Sequence, residues 1–374
     1  MTAGPHLAVA LEGAGWHPAA WREPAARPAQ LLTADYWADL VLKAEAATLD
    51  FVTFEDFLSV RGPFEDRPDV VQGRLDAVLL ASRIAPLTSR IGLIPTAVVT
   101  QTEPFHLSKA IATLDYVSAG RAGVRVQVSR HDEEYANFGR RSPEPVEDLF
   151  AEAADYAEVL RRLWDSWEDD AEIRDVATGR FVDRHKLHYI DFEGRWFSVK
   201  GPSITPRPPQ GQPLVAALAH NDTAYRLAER AADLVYVTPH DRTQAGELAG
   251  ALGDRLKVFA DLVVFLGETP GAAADRKARL DELAGAEYSS DASVFTGTPS
   301  ELADLLLDWH AAGLTGFRLR PATIPDDFAA ITDALVPELR GRGAFRRDYD
   351  APTLRGHLGL SRPANRYAAS GVTR

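Results

Sequence analysis

Apolar residues recur along this chain in two alternating rhythms. Short runs such as LAVAL (7–11), DFVTFED (50–56), RIGLIPTAVV (90–99) and LVAAL (214–218) have the apolar content of strands buried on both faces. Between them, apolar positions return every three or four residues. Trp37, Leu40, Val41, Ala44 and Ala47 do so, as do Leu75, Val78, Leu79 and Ile84, which is the spacing of a helix with one buried stripe. Pro104 opens a further helix and Gly120 closes it, the usual asymmetry of helix ends. A helix from about Val146 to Trp164 follows, then strands DLVYVT (233–238), KVFADLVVFL (257–266) and TGFRLR (315–320). Thr298-Pro299-Ser300-Glu301 is a capping-box pattern opening the helix of Leu302, Leu305, Leu306 and Trp309.

The pattern amounts to about eight strands, each followed by helical material. Such alternation predicts parallel strands, and eight units predict a closed (β/α)8 TIM barrel of roughly 250 residues plus insertions. The whole chain, 1–374, reads as one such domain. An insertion over about 165–212 follows strand four and its helix; it is acidic, then aromatic and proline-rich (DFEGRWFSVKGP), with a hairpin expected at Glu193-Gly194. The tail from Gly341 to Arg374 carries seven arginines against two aspartates, so it is expected to wrap an acidic surface of its own barrel or of a neighbouring subunit.

Strand four, within GRAGVRVQVSRHDEEYANFG (120–139), departs from the apolar rule. Val124, Val126 and Val128 fall on one face and Arg125, Gln127 and Ser129 on the other. In a barrel the valines suit the helix side, so the polar set points inward. Buried charge is expensive unless paired or facing a ligand, which leaves two readings: a polar pocket at the C-terminal end of the strands, or an internal ion layer with Glu12, Glu55 or Asp56. His131 and His220 fall in loops at that same end, as candidates for proton transfer or as plain hydrogen-bonding loop residues. Asn221, Asp222 and Thr223 follow His220 at a helix start, where free N–H groups suit a phosphate, or where Asn221 or Asp222 serves simply as a cap. Trp16, His17, Glu55, Phe57 and Trp196 are candidates for a substrate pocket near these loops.

Composition narrows the chemistry. The 374 residues are 45% hydrophobic and 25% charged, with no cysteine and a net charge of −13. Disulfides, thiolate metal ligands and cysteine nucleophiles are thereby excluded, and the acidic balance argues against nucleic acid or an anionic membrane as partner. No run approaches the roughly 20 apolar residues of a membrane span, and the N-terminus does not read as a secretory signal; a cytoplasmic protein is the expectation. No G-x-G-x-x-G, P-loop or G-x-S-x-G occurs. His185 and His188 lie three apart in the polar insertion and read as surface histidines, so no metal site is expected.

Several stretches, in order, resemble one family: TSRIGLIPTAVVTQTEPFHLSKAIATLDYVSAGRAG (88–123), NFG (137–139), LWDSWEDDA (163–171), HYIDFEGRWFSVKGPSITPRPPQGQPLV (188–215) and TLRGHLGLSRPANRY (353–367). They are similar to the bacterial-luciferase-like flavin monooxygenases, in the branch of nitrilotriacetate, dibenzothiophene-sulfone and long-chain alkane monooxygenases. The resemblance implies a TIM barrel that forms homodimers or homotetramers. It also implies that reduced FMN arrives as a diffusible cosubstrate from a separate NAD(P)H:flavin reductase and reacts with O2 to oxygenate a small organic substrate. On that resemblance Thr96, Arg125, Gln127, Ser129 and the loop His220, Asn221, Asp222, Thr223 would hold the flavin, with His131 or His220 assisting proton transfer.

The match thins at the cofactor contacts. After GRAG the branch runs Trp-Asn-(Ile/Val)-Val-Thr-Ser, where this chain has Val124 to Ser129: Arg125 stands at the asparagine, Val128 at the threonine, and only Ser129 matches. Phe150 and Asp155 stand where the branch has tyrosine and glutamate, and LAHNDTA (218–224) replaces Ala-Gly-x-Ser-x-x-Gly. Two alternatives therefore accompany the monooxygenase reading: an F420-dependent oxidoreductase on the same barrel, and a non-catalytic ligand-binding relative.

Overall fold

A computed structural model describes residues 4–60, 67–253 and 255–368. Eight parallel strands close into a barrel: β1 (His6–Leu11), β2 (Phe51–Phe54), β3 (Gly92–Val98), β4 (Gly123–Gln127), then, after β5 to β8 of the insertion, β9 (Leu214–Leu218), β10 (Leu234–Val237), β11 (Lys257–Leu266) and β13 (Gly316–Pro321). The ring runs β1-β2-β3-β4-β9-β10-β11-β13 and closes where β13 pairs with β1, His6 opposite Gly316. A ninth strand, β12 (Ser293–Gly297), was not legible in the sequence. It is possible because β11 is ten residues long: β10 pairs with its lower half (Lys257–Ala260) and β12 with its upper half (Leu262–Leu266).

Helices α1 (Ala34–Ala46), α2 (Ala77–Ile84), α3 (Pro104–Val117), α4 (Asp132–Phe138), α5 (Val146–Asp165), α6 (Asp222–Ala231), α7 (Arg242–Leu252), α8 (Pro270–Ala284) and α9 (Pro299–Ala311) follow the strands. Their starts are fixed by side chains. Thr33, Asp76, Asn221, Asp241, Thr269 and Thr298 each accept the backbone N–H three residues on, and Thr298 with Glu301 forms the full capping box. The helix-facing residues of the strands, among them Val124 and Val126, join the buried helix stripes in the main core.

Inside the barrel, Ala8, Phe51, Ile94, Leu214, Tyr236 and Phe259 fill the N-terminal half, and Leu354 and Leu358 from a short helix of the tail close its bottom. Gly92 permits that closure: a Cβ there would lie 2.5 Å from Leu354 Cδ1. The tail grips its own barrel by charge. Arg346 pairs with Asp50 at 2.8 Å, Arg355 with Asp233 at 3.2 Å and Arg366 with Glu158 at 2.8 Å, while Arg362 pairs with Asp169. Residues 369–374 of the predicted tail lie outside the described residues.

The insertion folds as two small hairpins, β5 (Glu172–Asp175) with β6 (Arg180–Val182) and β7 (Phe192–Glu193) with β8 (Ser198–Val199), the second turning at Glu193-Gly194 as expected. Among the described residues no helix is long and apolar enough to cross a membrane.

Candidate functional site

The inward polar set of β4 is part of an ion layer across the C-terminal half of the barrel. Arg125 Nη2 meets Glu55 Oε2 at 2.8 Å, and Arg125 Nε donates to Thr96 Oγ1 at 3.0 Å from the neighbouring position on β3. The Gln127 side chain accepts from Arg125 through Oε1 and donates through Nε2 to the Asp56 carbonyl at 3.1 Å. Glu55 also accepts from Arg318 Nη1 (3.1 Å), and Arg318 grips Asp261 with two nitrogens at 2.7 and 2.5 Å. Arg320 joins Asp261 and, at 2.6 Å, Asp291. Three arginines thus meet three carboxylates. Burial opposes the charge of Arg318, but Asp261 and Glu55 outweigh it and hold the guanidinium more firmly protonated than usual. For Arg125 burial wins, with Arg318 and Arg320 adding to it against Glu55, and its pKa is lowered.

The two readings divide the residues of strand four: Arg125 and Gln127 are taken up by an ion layer partnered by Glu55, and Ser129 lines an opening. Sequence reasoning missed Arg318, Arg320 and Asp261. Their signal was present, since TGFRLR alternates as β4 does and Asp261 is the one acid in β11, whose only other charged residue is Lys257 at its start.

Above this layer lie two openings. The first is a mostly apolar cavity of about 460 Å³ over β1 and β2, whose lining includes Trp16, His17, Glu55 and Phe57 together with Trp21 and Tyr288. Trp16 is fixed by its indole N–H on the Ala10 carbonyl (3.0 Å), and the Arg320 guanidinium carbon stands 4.5 Å from its ring centroid. His17 accepts the Ala19 N–H at Nδ1, so Nε2 carries the proton toward Asp281 at 3.1 Å; burial lowers its pKa against the pull of Asp281. Glu12 and Arg74 also line the cavity and meet at 3.2 Å. Burial pushes Glu12 up to about 6, against Arg74 and helped by Glu55 and Asp56; Asp56 likewise rises to about 6 by burial. Trp196 is not in this cavity. It sits in the turn of the β7–β8 hairpin, which follows α5, with Arg195 over its ring.

The second opening is a cleft of about 710 Å³ lined by Ser129, His131, His220, Asn221, Asp222 and Thr223, with Glu147 and Phe150 opposite. Both histidines are exposed there. Asn221 Oδ1 accepts the Ala224 N–H at 3.0 Å, so the capping reading holds, while the amides of Asp222 and Thr223 remain at the helix start without intrahelical acceptors. Ser129 is locked by Thr100, whose hydroxyl accepts its N–H and donates to its carbonyl, each at 3.2 Å. Helix α4, also unexpected from the sequence, ties the two openings: Glu134 accepts the Leu58 N–H at 2.9 Å beside Phe57.

A flavin is the group the resemblance implies, and its two ends meet different surroundings. The cleft offers hydroxyls, imidazoles and helix-start amides, a donor set that fits a phosphate. The interior trio Thr96, Arg125 and Gln127 does not fit as ring contacts, because its bonds run inward: Arg125 Nε to Thr96, Arg125 Nη2 to Gln127 and Glu55, and Gln127 Nε2 to the Asp56 carbonyl. Among the described residues no group of three or more metal-ligating side chains converges; His188 binds Glu168 at 2.8 Å and stacks on Tyr367.

Comparison with known proteins places this architecture. Residues 15–280 match the family model described as luciferase-like monooxygenase. The chain is 30% identical to N-acetyl-S-(2-succino)cysteine monooxygenase of Bacillus subtilis (strain 168), over 97% of this chain and 98% of that one. It is 28% identical to nitrilotriacetate monooxygenase component A of Aminobacter aminovorans, with the same two coverages. In structure it is similar to a riboflavin lyase solved with modified FMN and riboflavin, with a TM-score of 0.86, 24% identity and 97% of each chain covered.

Proposed function

We infer the activity from one premise: this chain belongs to the luciferase-like monooxygenase family. It is a flavin-dependent monooxygenase of the two-component type. A separate NAD(P)H:flavin reductase supplies reduced FMN, and with O2 a small organic substrate is oxygenated. When bound, the flavin supplies the oxygen-activating chemistry. Ser129, His131, His220, Asn221, Asp222 and Thr223 hold its phosphate end. The cavity at Trp16, His17, Glu55 and Phe57 seats the substrate and sheds water. Thr96, Arg125 and Gln127 serve as the supporting layer beneath cleft and cavity instead of as ring contacts. His131 and His220 are the imidazoles placed to move protons in the cleft.

The observation that carries this reading is the ion layer beneath both openings: Glu55 lines the cavity, and the arginine it binds sits on the strand that runs into Ser129 of the cleft. Anaerobic titration with oxidised FMN, reduced FMN and F420 tests it, followed by O2-dependent turnover of a substrate panel with a flavin reductase present. Binding of reduced FMN and reductase-dependent turnover are expected; a response to F420 alone would transfer the reading to hydride transfer.

One observation favours a second reading, a ligand-binding relative without turnover. The ion layer satisfies its members internally, and Arg125 occupies the position where the resembling branch has an asparagine. Absence of any flavin binding, with a folded protein, decides for it.

A further inference from the structure

The cavity's charged groups are unequally satisfied. Glu55 is held by two arginines and Thr53, and Asp291 by Arg320 and the Ser290 hydroxyl. The Glu12–Arg74 contact is the loose one. Only one guanidinium nitrogen, Nη1, reaches Glu12, at 3.2 and 3.4 Å to its two oxygens. Among the described residues Arg74 Nε is buried without a hydrogen-bond partner, and no bond to Nη2 is formed. A buried donor left unmade costs about 1–3 kcal/mol, so this guanidinium is short of acceptors. The Arg74 guanidinium carbon stands 4.5 Å from the Phe57 ring centroid, which fixes it on the cavity wall beside Trp16, Trp21 and Tyr288.

We propose that the cavity takes a small aromatic carboxylate, its ring packed among Trp16, Trp21, Phe57 and Tyr288 and its carboxylate on Arg74, where it displaces Glu12. The geometry suits this ligand because a planar carboxylate matches two guanidinium nitrogens at once, whereas Glu12 is joined to one. The exchange is also favourable in charge. Burial holds Glu12 up at about 6, so on release from Arg74 near that pH it can take up a proton instead of remaining as an unpaired buried charge. The inference rests on reading this cavity as the substrate site, and it names the substrate class and Arg74 as the residue that selects it.

The test is equilibrium binding to the full chain without flavin or reductase, so its outcome is independent of turnover. Benzoate and phenylacetate are titrated against benzamide and phenylacetamide at pH 6 by calorimetry. The acids are expected to bind about tenfold or more tighter than their amides. Arg74→Met is expected to erase that preference, and Glu12→Gln to tighten the acids while leaving the amides unchanged. Equal binding of acids and amides, no binding of the acids, or an acid preference that survives Arg74→Met overturns the proposal. Should Arg74→Met fail to fold, Glu12→Gln decides: acid affinity that does not rise overturns it too.

Discussion

Glu55 reaches Arg125 at 2.8 Å from the end of β2, across β3, to the middle of β4. Its other oxygen takes Arg318 at 3.1 Å, so one carboxylate holds two buried guanidinium groups from opposite sides of the barrel. Buried ion pairs add little net stability but are costly to break from one side.

Unequal effects follow for the two partners. Glu55→Ala leaves Arg125 without a carboxylate partner, takes one of the two from Arg318, which keeps Asp261, and is expected to lower unfolding free energy by about 3–5 kcal/mol. Arg125→Met leaves Glu55 with Arg318 and Thr53 and is expected to cost clearly less. Urea unfolding of the two variants measures the difference; an Arg125→Met loss as large as that of Glu55→Ala would show that Glu55 does not depend on Arg318.

The same ion layer bears on the cofactor. Replacing Arg125 by asparagine, the residue of the resembling branch, frees Gln127 Oε1 and Thr96 Oγ1, both of which accept from Arg125. One or two recovered hydrogen bonds are worth about 1 kcal/mol each, so FMN affinity is expected to rise by about tenfold. Quenching of flavin fluorescence reads it. Affinity that is unchanged or weaker in Arg125→Asn would mean that the ion layer is not what limits flavin binding.

How much of this was legible beforehand depends on the kind of signal. The eight barrel strands were legible because burial on both faces makes apolar runs, and the alternation in Val124–Gln127 pointed correctly inward. β12 was not legible: Ser293–Gly297 is only partly buried apart from its last residue, so its sequence lacks an apolar run. The cleft at Ser129, His131 and 220–223 came from placing loops at one end of a barrel. The cavity's polar members, Arg74 and Asp291, come from segments outside the strand alternation and meet only through the closure of the ring. Trp196 was legible as part of the insertion but not as lying outside the cavity, because the sequence does not say which barrel loops an insertion packs beside.

Asp50 gives a pH signature of the fold. Its carboxylate accepts from the Leu7 N–H, His6 and Arg346, each at 2.8 Å, tying the tail to β1. Burial works against its charge, but His6 and Arg346 overcome that and bring its pKa down to about 2. The folded value lies below the unfolded one near 3.9, so the contribution is fully present above that value and is lost as pH falls through 2. It amounts to about 2 kcal/mol. Asp50→Asn is expected to lose about this much at pH 7 and to converge on the parent near pH 2. Denaturation curves across that range check it, and a gap that persists undiminished at pH 2 contradicts it.

The cleft makes its own demand on the flavin's phosphate. Asp222 lies in the first turn of α6, where it complements the helix dipole and competes with any anion for the amides of Asp222 and Thr223. Removing its charge with Asp222→Asn leaves Asn221 capping Ala224 and is expected to tighten FMN severalfold, since a first-turn charge is worth about 0.3–1 kcal/mol. Riboflavin, which lacks the phosphate, is expected to be indifferent to the change. His220→Ala should act in the opposite sense, weakening FMN more than riboflavin. Added salt should reduce the Asp222→Asn effect, because the cleft is open and its charges are screened. The comparison of FMN with riboflavin in the parent and both variants, by titration at two ionic strengths, separates a phosphate role from loss of structure. Equal effects on the two flavins would place the phosphate outside this cleft.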